Sequence, residues 1–246
     1  MHPGTPFPPM QLAAADGGPL SREMDLAAEL LPLQHARILE LGCGRAEFTR
    51  ALADRFPASR ITAMEVDAIQ SAKNLASEAP RNVAFAEGGA DAIPLPDACV
   101  DVVLMLKSLH HVPVERMDAA LAEIARVLAP GGLAYFSEPI YAGEFNAIMS
   151  MFHDERMVRE AAFAALSRAV ASGRFELVAE RFWQAKRRYA GFAEFDERLI
   201  GATHTTHRLS AATYAAVRER FERNLAADGI ATFDQPMRVD LLRRCG

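Results

Sequence analysis

The chain alternates between short apolar runs and longer stretches in which apolar residues recur at helical spacing. The clearest run is Val100–Leu106, which is apolar at every position except Asp101. Near-continuous runs of this length are typical of parallel strands that are covered on both faces. Four more strands are predicted before residue 140, at Arg37–Leu41, Arg60–Glu65, 82–87 and 133–138.

Helix signals lie between these strands. Ser21 is predicted to cap a helix that ends before Pro32. Asp67 is predicted to cap the helix after the second strand, whose apolar residues are Ile69, Ala72, Leu75 and Ala76. Apolar residues share one face of residues 117–128, and Pro130 with the two following glycines is predicted to stop that helix. Because strands and helices alternate, we expect right-handed crossovers and a Rossmann-like, doubly wound α/β fold. The predicted sheet has seven strands and is mostly parallel.

The regular alternation of predicted strands and helices ends after Pro139. The chain then becomes rich in phenylalanine and methionine, and its predicted elements are helices at 144–171, 192–201 and 210–227 and strands at 181–189 and 232–243. We expect residues 1–19 to form a flexible arm and residues 20–246 to form a single domain. Its core would lie at 35–140, with a helical C-terminal elaboration or lid at about 141–227.

Composition excludes several classes of protein. The chain has 246 residues, half of them hydrophobic, yet no apolar run approaches the roughly 18 residues of a membrane span. A net charge of −5 gives no support for nucleic-acid binding. The three cysteines are widely separated and show no metal-ligand spacing, which favours a reducing cytoplasm. His204 and His207 share a spacing suited to one helix face, but they have no evident third ligand, so no metal site is expected.

The turn after the first strand carries the strongest chemical signal. Gly42 and Gly44 allow the backbone to approach a ligand closely, at the edge where parallel strands bind nucleotides. Glu47 stands where a dinucleotide fingerprint has its third glycine, and its charge would repel a pyrophosphate. Glu40 instead offers a carboxylate to a cationic ligand. Glu65 follows about 20 residues beyond the glycines, the position from which an acid reaches ribose hydroxyls.

Four motifs occur in a fixed order along residues 35–140. They are Glu40-Leu-Gly-Cys-Gly44, the acid at Glu65, the segment 90–97 running into 100–103, and Glu123-Ile-Ala-Arg-Val-Leu-Ala-Pro-Gly-Gly132. In this combination the chain resembles the class I S-adenosylmethionine-dependent methyltransferases of the type-11 (UbiE-like) group. The resemblance implies a transferase that binds S-adenosyl-L-methionine and releases S-adenosyl-L-homocysteine.

The resemblance also implies which positions contact the cofactor. They are Glu40, Gly42, Cys43, Gly44, Glu65, Val66, Ala90, Asp91, Leu106 and Lys107. Residues 40–44 would approach the methionine part, Glu65 the ribose diol, and Val66 the adenine. Ala90 and Asp91 would bracket the adenine edge, and the backbone at 106–107 would flank the methyl donor. The chain departs from the family pattern at Ala46, where a third glycine is common, and at Glu65, where Asp is commoner.

Three side chains are candidates for the catalytic step. His110, His111 and Tyr141 follow the fourth and fifth strands, on the rim where an acceptor would bind. A base is needed only if the acceptor carries a proton on the attacking atom. We therefore expect in-line methyl transfer to a small, partly apolar molecule, at an O, N or C atom that stays open. The alternatives are a non-catalytic cofactor-binding scaffold or regulatory protein and, less favoured, an NAD-dependent oxidoreductase.

Overall fold

A computed structural model describes residues 10–14, 17–201 and 209–246. Its strands are β1 (Arg37–Leu41), β2 (Arg60–Glu65), β3 (Val83–Glu87), β4 (Val100–Leu106), β5 (Leu128–Pro139), β6 (Phe175–Tyr189) and β7 (Ala231–Arg244). Its α-helices are α1 (Glu23–Leu30), α2 (Glu47–Arg55), α3 (Ala68–Ala76), α4 (Met117–Val127), α5 (Gly143–Met149), α6 (Arg156–Ala171), α7 (Phe192–Phe195) and α8 (Ala211–Glu222). Short 3₁₀ turns at Leu109–His111 and Val114–Arg116 and a π-helical turn at Asp196–Ile200 complete the described elements.

The seven described strands form one sheet in the order β3-β2-β1-β4-β5-β7-β6. Strands β1 to β5 are parallel, whereas β7 runs antiparallel between β5 and β6. The predicted seven-stranded, mostly parallel sheet is therefore confirmed. Strand order reverses between β1 and β4, so a crevice is expected at the carboxyl ends of these two strands.

Successive side chains of the central strands enter opposite cores. Leu39 and Phe136 pack on the face covered by α4 and α6. Ile38, Leu104 and Tyr135 pack on the other face, against α1 and α2. Because both faces are covered, the central strands are apolar at nearly every position, as the run in β4 predicted.

Helix boundaries and faces differ from the prediction at two places. Helix α1 begins at Glu23, and the flanking Arg22 makes no side-chain cap, so the predicted cap at Ser21 is wrong. Asp67 does cap α3, because its Oδ1 accepts from the Gln70 N–H at 2.8 Å. Helix α3 nevertheless buries Ser71 and Asn74 and leaves its apolar side chains Ile69 and Leu75 exposed.

Two strands are longer than predicted. β5 begins at Leu128, and its first residues pass through the Pro130-Gly-Gly segment that was expected to be a helix stop followed by a turn. β6 begins at Phe175 instead of residue 181, since it pairs with β7 along its full length, from Phe175 opposite Arg244 to Tyr189 opposite Ala231. Pairing with a distant strand is a tertiary effect that local periodicity does not reveal.

The segment after β5 builds a separate aromatic cluster. Its buried members come from α5, α7, α8 and the ends of β6 and β7, and they are Phe145, Ile148, Tyr189, Phe192, Phe195, Val217, Phe221, Ala231 and Phe233. The rings contact one another, for example Phe195 and Phe221 with centroids 4.9 Å apart. The elaboration at 141–227 thus has a core of its own, and β6 joins it to the sheet.

The described part of the N-terminal arm lies against β6, β7 and α6. The Gln11 N–H donates to Glu180 at 2.8 Å, and the Arg238 Nη1 donates to the Leu12 carbonyl at 3.0 Å. Met10 packs against the core on the α6 face. Among the described residues, no helix is both long enough and apolar enough to cross a bilayer.

The turn after β1 gives a stability prediction. Gly42 has φ +72°, and a Cβ added there would lie 2.7 Å from the Ser108 Cβ. Gly131 has a similar φ of +75°, but nothing lies within 4 Å of its added Cβ. Gly42→Ala should lower the free energy of unfolding by about 2–4 kcal/mol, since overpacking adds to the backbone cost. Gly131→Ala should lose only about 1–2 kcal/mol.

Urea unfolding of both variants measures the difference. Since φ is nearly the same at the two positions, the excess loss in Gly42→Ala reports the contact with Ser108. Equal losses would show that the turn after β1 does not approach the end of β4 as closely as the structure has it.

Candidate cofactor and acceptor site

The glycine turn is anchored to the neighbouring strand through backbone bonds. The Gly42 and Cys43 N–H groups both donate to the Met64 carbonyl, at 2.9 and 3.0 Å. The Gly44 N–H donates to the Glu65 Oε2 at 2.7 Å. The other Glu65 oxygen accepts from the Asp67 N–H at 2.9 Å. The buried Glu65 carboxylate therefore holds the turns after β1 and β2 together.

Cys43 lies within this turn as a buried, unreactive thiol. Burial raises the pKa of Cys43 to about 12, and the nearby carboxylates of Glu40 and Glu65 act in the same direction. Asn74 donates from its Nδ2 to the Gly44 carbonyl at 2.8 Å, which fixes the turn from the α3 side. Cys43 is thus placed to contribute its backbone and its shape rather than a thiolate.

The carboxylate of Glu40 is buried with few groups that would stabilise its negative charge. Its side chain is only 2% exposed, and the Thr49 hydroxyl donates to its Oε2 at 2.6 Å. Burial raises the pKa of Glu40 to about 7, although the Thr49 hydrogen bond and the charge of Lys107 oppose that rise. A buried carboxylate that ionises near neutral pH would be stabilised by a cation placed beside it.

The predicted adenine side presents one apolar surface and one ion pair. Val66 is 68% exposed, which is unusual for a side chain of its kind. Asp91 accepts from the Arg116 Nη1 at 2.6 Å, so one of its oxygens has a charged partner. Ala90 is buried beside it. The roles of these three residues toward adenine stay predictions.

The end of β4 borders the glycine turn. The Ser108 hydroxyl donates to the Leu41 carbonyl at 2.9 Å. Lys107, which follows Leu106, has a left-handed backbone with φ +57°, and its N–H donates to the Ser137 carbonyl at 2.7 Å. Its ammonium lies 3.6 Å from the Glu23 carboxylate. Glu23 comes from α1, far away in the sequence, and local motifs gave no signal for it.

His110 is buried between two carboxylates. Its Nδ1 contacts the Glu138 Oε2, and its Nε2 lies 3.6 Å from the Glu155 Oε1. The second Glu138 oxygen accepts from the Leu109 N–H at 2.9 Å. Burial alone would lower the pKa of His110, but Glu138 and Glu155 outweigh it and raise that pKa to about 9. Such an imidazolium holds its proton at neutral pH, which argues against His110 as the general base.

Glu155 is the centre of this polar group, although the sequence did not single it out. Its Oε1 accepts from the His153 Nε2 at 2.9 Å, and its Oε2 pairs with the Arg159 Nη2 at 2.5 Å. Arg159 in turn donates to the Asn146 Oδ1 at 2.8 Å. His110 and Arg159 hold the pKa of Glu155 well below its usual range, even though burial opposes this.

The other two catalytic candidates, His111 and Tyr141, have different neighbours. The ring of His111 is exposed, with its centroid 4.2 Å from that of His110. The Arg156 guanidinium lies over the ring of Tyr141, 4.9 Å from its centroid. The structure thus brings His110 and His111 together with Glu155, while the roles of His111 and Tyr141 in catalysis stay predictions. His204 and His207 lie outside the described residues.

Comparison with known proteins identifies the central segment. A family profile described as "Methyltransferase domain" matches residues 38–132, which run from β1 into β5. The fatty-acid O-methyltransferase of Mycolicibacterium smegmatis is 32% identical over 134 residues, which are 50% of this chain and 47% of that protein. The chain thus spans about half the length of the curated relatives it matches.

Similar folds occur among solved structures. The YcgJ protein of Bacillus subtilis covers 91% of this chain and 98% of its own length, with a TM-score of 0.62 and 16% identity. The cyclase SpnF covers 95% of this chain and 89% of its own length, with a TM-score of 0.53 and 20% identity. At these identities the likeness concerns the fold alone, and the fold hosts more than one activity.

The sequence match and the strand order agree on the same assignment. The matched segment contains the glycine turn, Glu65, the loop with Asp91 and all of β4. The seven-stranded sheet with its antiparallel β7 extends the likeness beyond that segment. Residues 38–132 therefore match a methyltransferase domain, in agreement with the resemblance of the motifs to the class I S-adenosylmethionine-dependent methyltransferases.

Proposed function

We propose that this protein transfers a methyl group from S-adenosyl-L-methionine to a small-molecule acceptor. The observation that carries the proposal is the turn at Gly42–Gly44, held open by the Glu65 carboxylate beside the buried Glu40. Nothing lies within 4 Å of a Cβ added at Gly44, so this turn leaves room for a ligand.

The residues present fit the cofactor. Its ammonium and sulfonium charges suit Glu40, whose carboxylate is buried with one hydroxyl donor and no ion-pair partner among the described contacts. The ribose hydroxyls suit Glu65, since an ionised carboxylate has about four acceptor sites and only two are used. Val66 offers an exposed apolar surface to adenine.

The chain's part in methyl transfer is mainly one of alignment. The sulfonium supplies an activated methyl group, and the protein must place the acceptor atom in line with it. The positions proposed to do so are the backbone at Leu106 and Lys107 and the rim formed by His111 and Tyr141. Good alignment of two reactants lowers the activation barrier, by about 7–11 kcal/mol in model reactions.

The residues on the proposed acceptor side favour an acceptor that is partly apolar and whose attacking atom carries no proton. His110 holds its proton between two carboxylates, so it does not remove one from the acceptor. The aromatic cluster centred on Phe195 lies in the same C-terminal elaboration as Glu155. A carboxylate on an apolar chain meets both conditions, and the similarity to a fatty-acid O-methyltransferase favours that class. Transfer to nitrogen or carbon stays open.

Two rival functions remain to be separated by experiment. A cofactor-binding protein without methyl transfer would use the same turn, and the fold is shared with the cyclase SpnF. An NAD-dependent oxidoreductase is disfavoured because Glu47 begins α2, where a pyrophosphate would require positive potential. We propose a cytoplasmic location on the grounds of three free cysteines.

Calorimetry and turnover test the proposed activity together. S-adenosylhomocysteine should bind with a stoichiometry of one, whereas NAD should give no saturable heat. Incubation with methyl-labelled S-adenosylmethionine and a panel of fatty acids, phenols and amines should label at least one small molecule. Binding without any labelling would favour the scaffold, and tight NAD binding alone would overturn the assignment.

Glu65 provides a test of the cofactor position. Glu65→Ala should weaken S-adenosylhomocysteine binding by about 1–3 kcal/mol, because it removes ribose hydrogen bonds and frees the Gly44 N–H. Glu87 is the matched control, since it is an exposed acid at the end of β3 in register with Glu65. Glu87→Ala should bind as the parent does. Equal affinities for all three proteins, with circular dichroism unchanged, would place the ribose elsewhere.

We expect Glu40 to release a proton when the cofactor binds. Its pKa is raised to about 7 in the free protein, so roughly half of the molecules carry this proton at pH 7. The ammonium of S-adenosylhomocysteine should lower that pKa and release the proton. The complex then holds fewer protons, so affinity should rise as pH increases from 6 to 8. Calorimetry in two buffers of different ionisation enthalpy measures the release.

Glu40→Gln is the control, since glutamine cannot release this proton. The variant should show no buffer-dependent heat and no rise in affinity over the same pH range. The pH dependence of the free energy of unfolding gives an independent check. Because the pKa of Glu40 is higher in the folded protein, its contribution to stability is complete below the unfolded pKa of about 4.5 and is lost as the pH rises through 7. Proton release that persists in Glu40→Gln would assign the linkage to another group.

A further inference from the structure

We propose that His110, His111 and Glu155 form a binding site for a divalent metal ion of the zinc type. The three side chains each offer one ligand atom, and these atoms lie within 4.8 Å of one another. The proposal does not depend on methyl transfer, because it concerns binding by side chains that no cofactor contact requires. Sequence analysis expected no metal site because it considered only His204 and His207, which have no evident third ligand. Glu155 lies far along the chain from His110 and His111 and was not connected with them.

The spacing of the two buried ligands suits a bridging ion. The His110 Nε2 lies 3.6 Å from the Glu155 Oε1. That separation exceeds the usual length of a hydrogen bond between nitrogen and oxygen. Two ligands bound to zinc at their usual lengths and at a tetrahedral angle lie about 3.4 Å apart. The gap between these two atoms is therefore the size that a shared zinc ion would require.

The first ligand is already oriented as metal-binding histidines usually are. The Nδ1 of His110 contacts the Glu138 carboxylate, which directs Nε2 toward Glu155. Metal-bound histidines commonly donate the N–H of their second ring nitrogen to a carboxylate in this way. The ion would take the place of the proton that Nε2 carries in the free protein, and that proton would be released to solvent. The Leu109 N–H holds the other Glu138 oxygen at 2.9 Å, so the orienting carboxylate is itself fixed.

The carboxylate ligand is held equally firmly. Arg159 binds the Glu155 Oε2 at 2.5 Å and is itself bonded to Asn146, which leaves Oε1 directed at His110. His153 also reaches Oε1, at 2.9 Å. Two imidazoles with one carboxylate favour zinc or a similar borderline ion over magnesium and calcium, which prefer oxygen ligands. Three protein ligands leave a fourth tetrahedral position for water or another oxygen.

The site would connect the sheet to the C-terminal elaboration. His110 and His111 follow β4, Glu138 lies near the end of β5, and Glu155 directly precedes α6. An ion bound there would link these three elements in the folded state only. Binding to the folded state alone stabilises it by mass action, so zinc should raise the melting temperature.

Titration of the untagged full chain tests the proposal. After dialysis against a chelator and then against buffer, Zn²⁺ should bind with a stoichiometry of one and raise the melting temperature. Co²⁺ in its place should develop the visible absorption of tetrahedral coordination. Mg²⁺ at the same concentration should cause neither change.

Variants distinguish this site from adventitious binding. His111→Ala removes an exposed ligand, so the fold should persist while Zn²⁺ affinity falls at least tenfold. Glu155→Gln should weaken binding similarly, and His35→Asn is the matched control because His35 is an exposed histidine outside the cluster. If the parent binds no Zn²⁺, or if His111→Ala binds it as tightly as His35→Asn does, the three side chains form a hydrogen-bonded group only and the proposal is wrong.

Discussion

Three carboxylates, those of Glu40, Glu65 and Glu138, are buried near the carboxyl ends of the parallel strands. The arrangement of the site follows from the hydrogen bonds and charges that replace the water each carboxylate has lost. Burial of an ionised carboxylate is costly unless hydrogen bonds or opposite charge replace its water. Glu65 receives two backbone N–H groups, which requires the turns after β1 and β2 to lie side by side. Glu138 receives His110 and the Leu109 N–H. Glu40 accepts a single hydrogen bond among the described residues, from the Thr49 hydroxyl, and burial raises its pKa to about 7 against the effects of that bond and of the Lys107 charge.

The elements that sequence analysis placed well are those fixed by local chemistry. Strands β1, β2 and β4 have the predicted boundaries because their apolar runs end at polar residues or glycines. Asp67 caps α3 as expected, since the capping bond joins residues three apart. The ordered motifs from Glu40 to Gly132 indicated the methyltransferase domain because each is a local segment: the first lies in the turn after β1, and the last joins α4 to β5.

The elements that it missed depend on distant contacts. The face of α3 that carries Asn74 is buried because Asn74 bonds to the glycine turn, which outweighs the exposure of Ile69 and Leu75. β6 extends back to Phe175 because β7 supplies a partner. Glu23 and Glu155 reach the site from α1 and from the residue before α6, and neither belongs to a local pattern. A pattern of nearby residues cannot indicate such partners.

Residues that match the family profile and residues particular to this chain lie in different parts of the sequence. Residues 38–132 match the family profile and include the positions proposed to bind the cofactor, whereas Glu138, Glu155 and the aromatic cluster lie beyond that segment. His110 is the residue at which the two parts meet: it belongs to the matched segment, yet its charge is set by carboxylates from outside it. A histidine at this position could be a base, a fixed imidazolium or a ligand, according to what the C-terminal elaboration places beside it. In this chain Glu138 and Glu155 raise the pKa of His110 to about 9, which argues against the first of these roles and favours an acceptor that transfers no proton to His110.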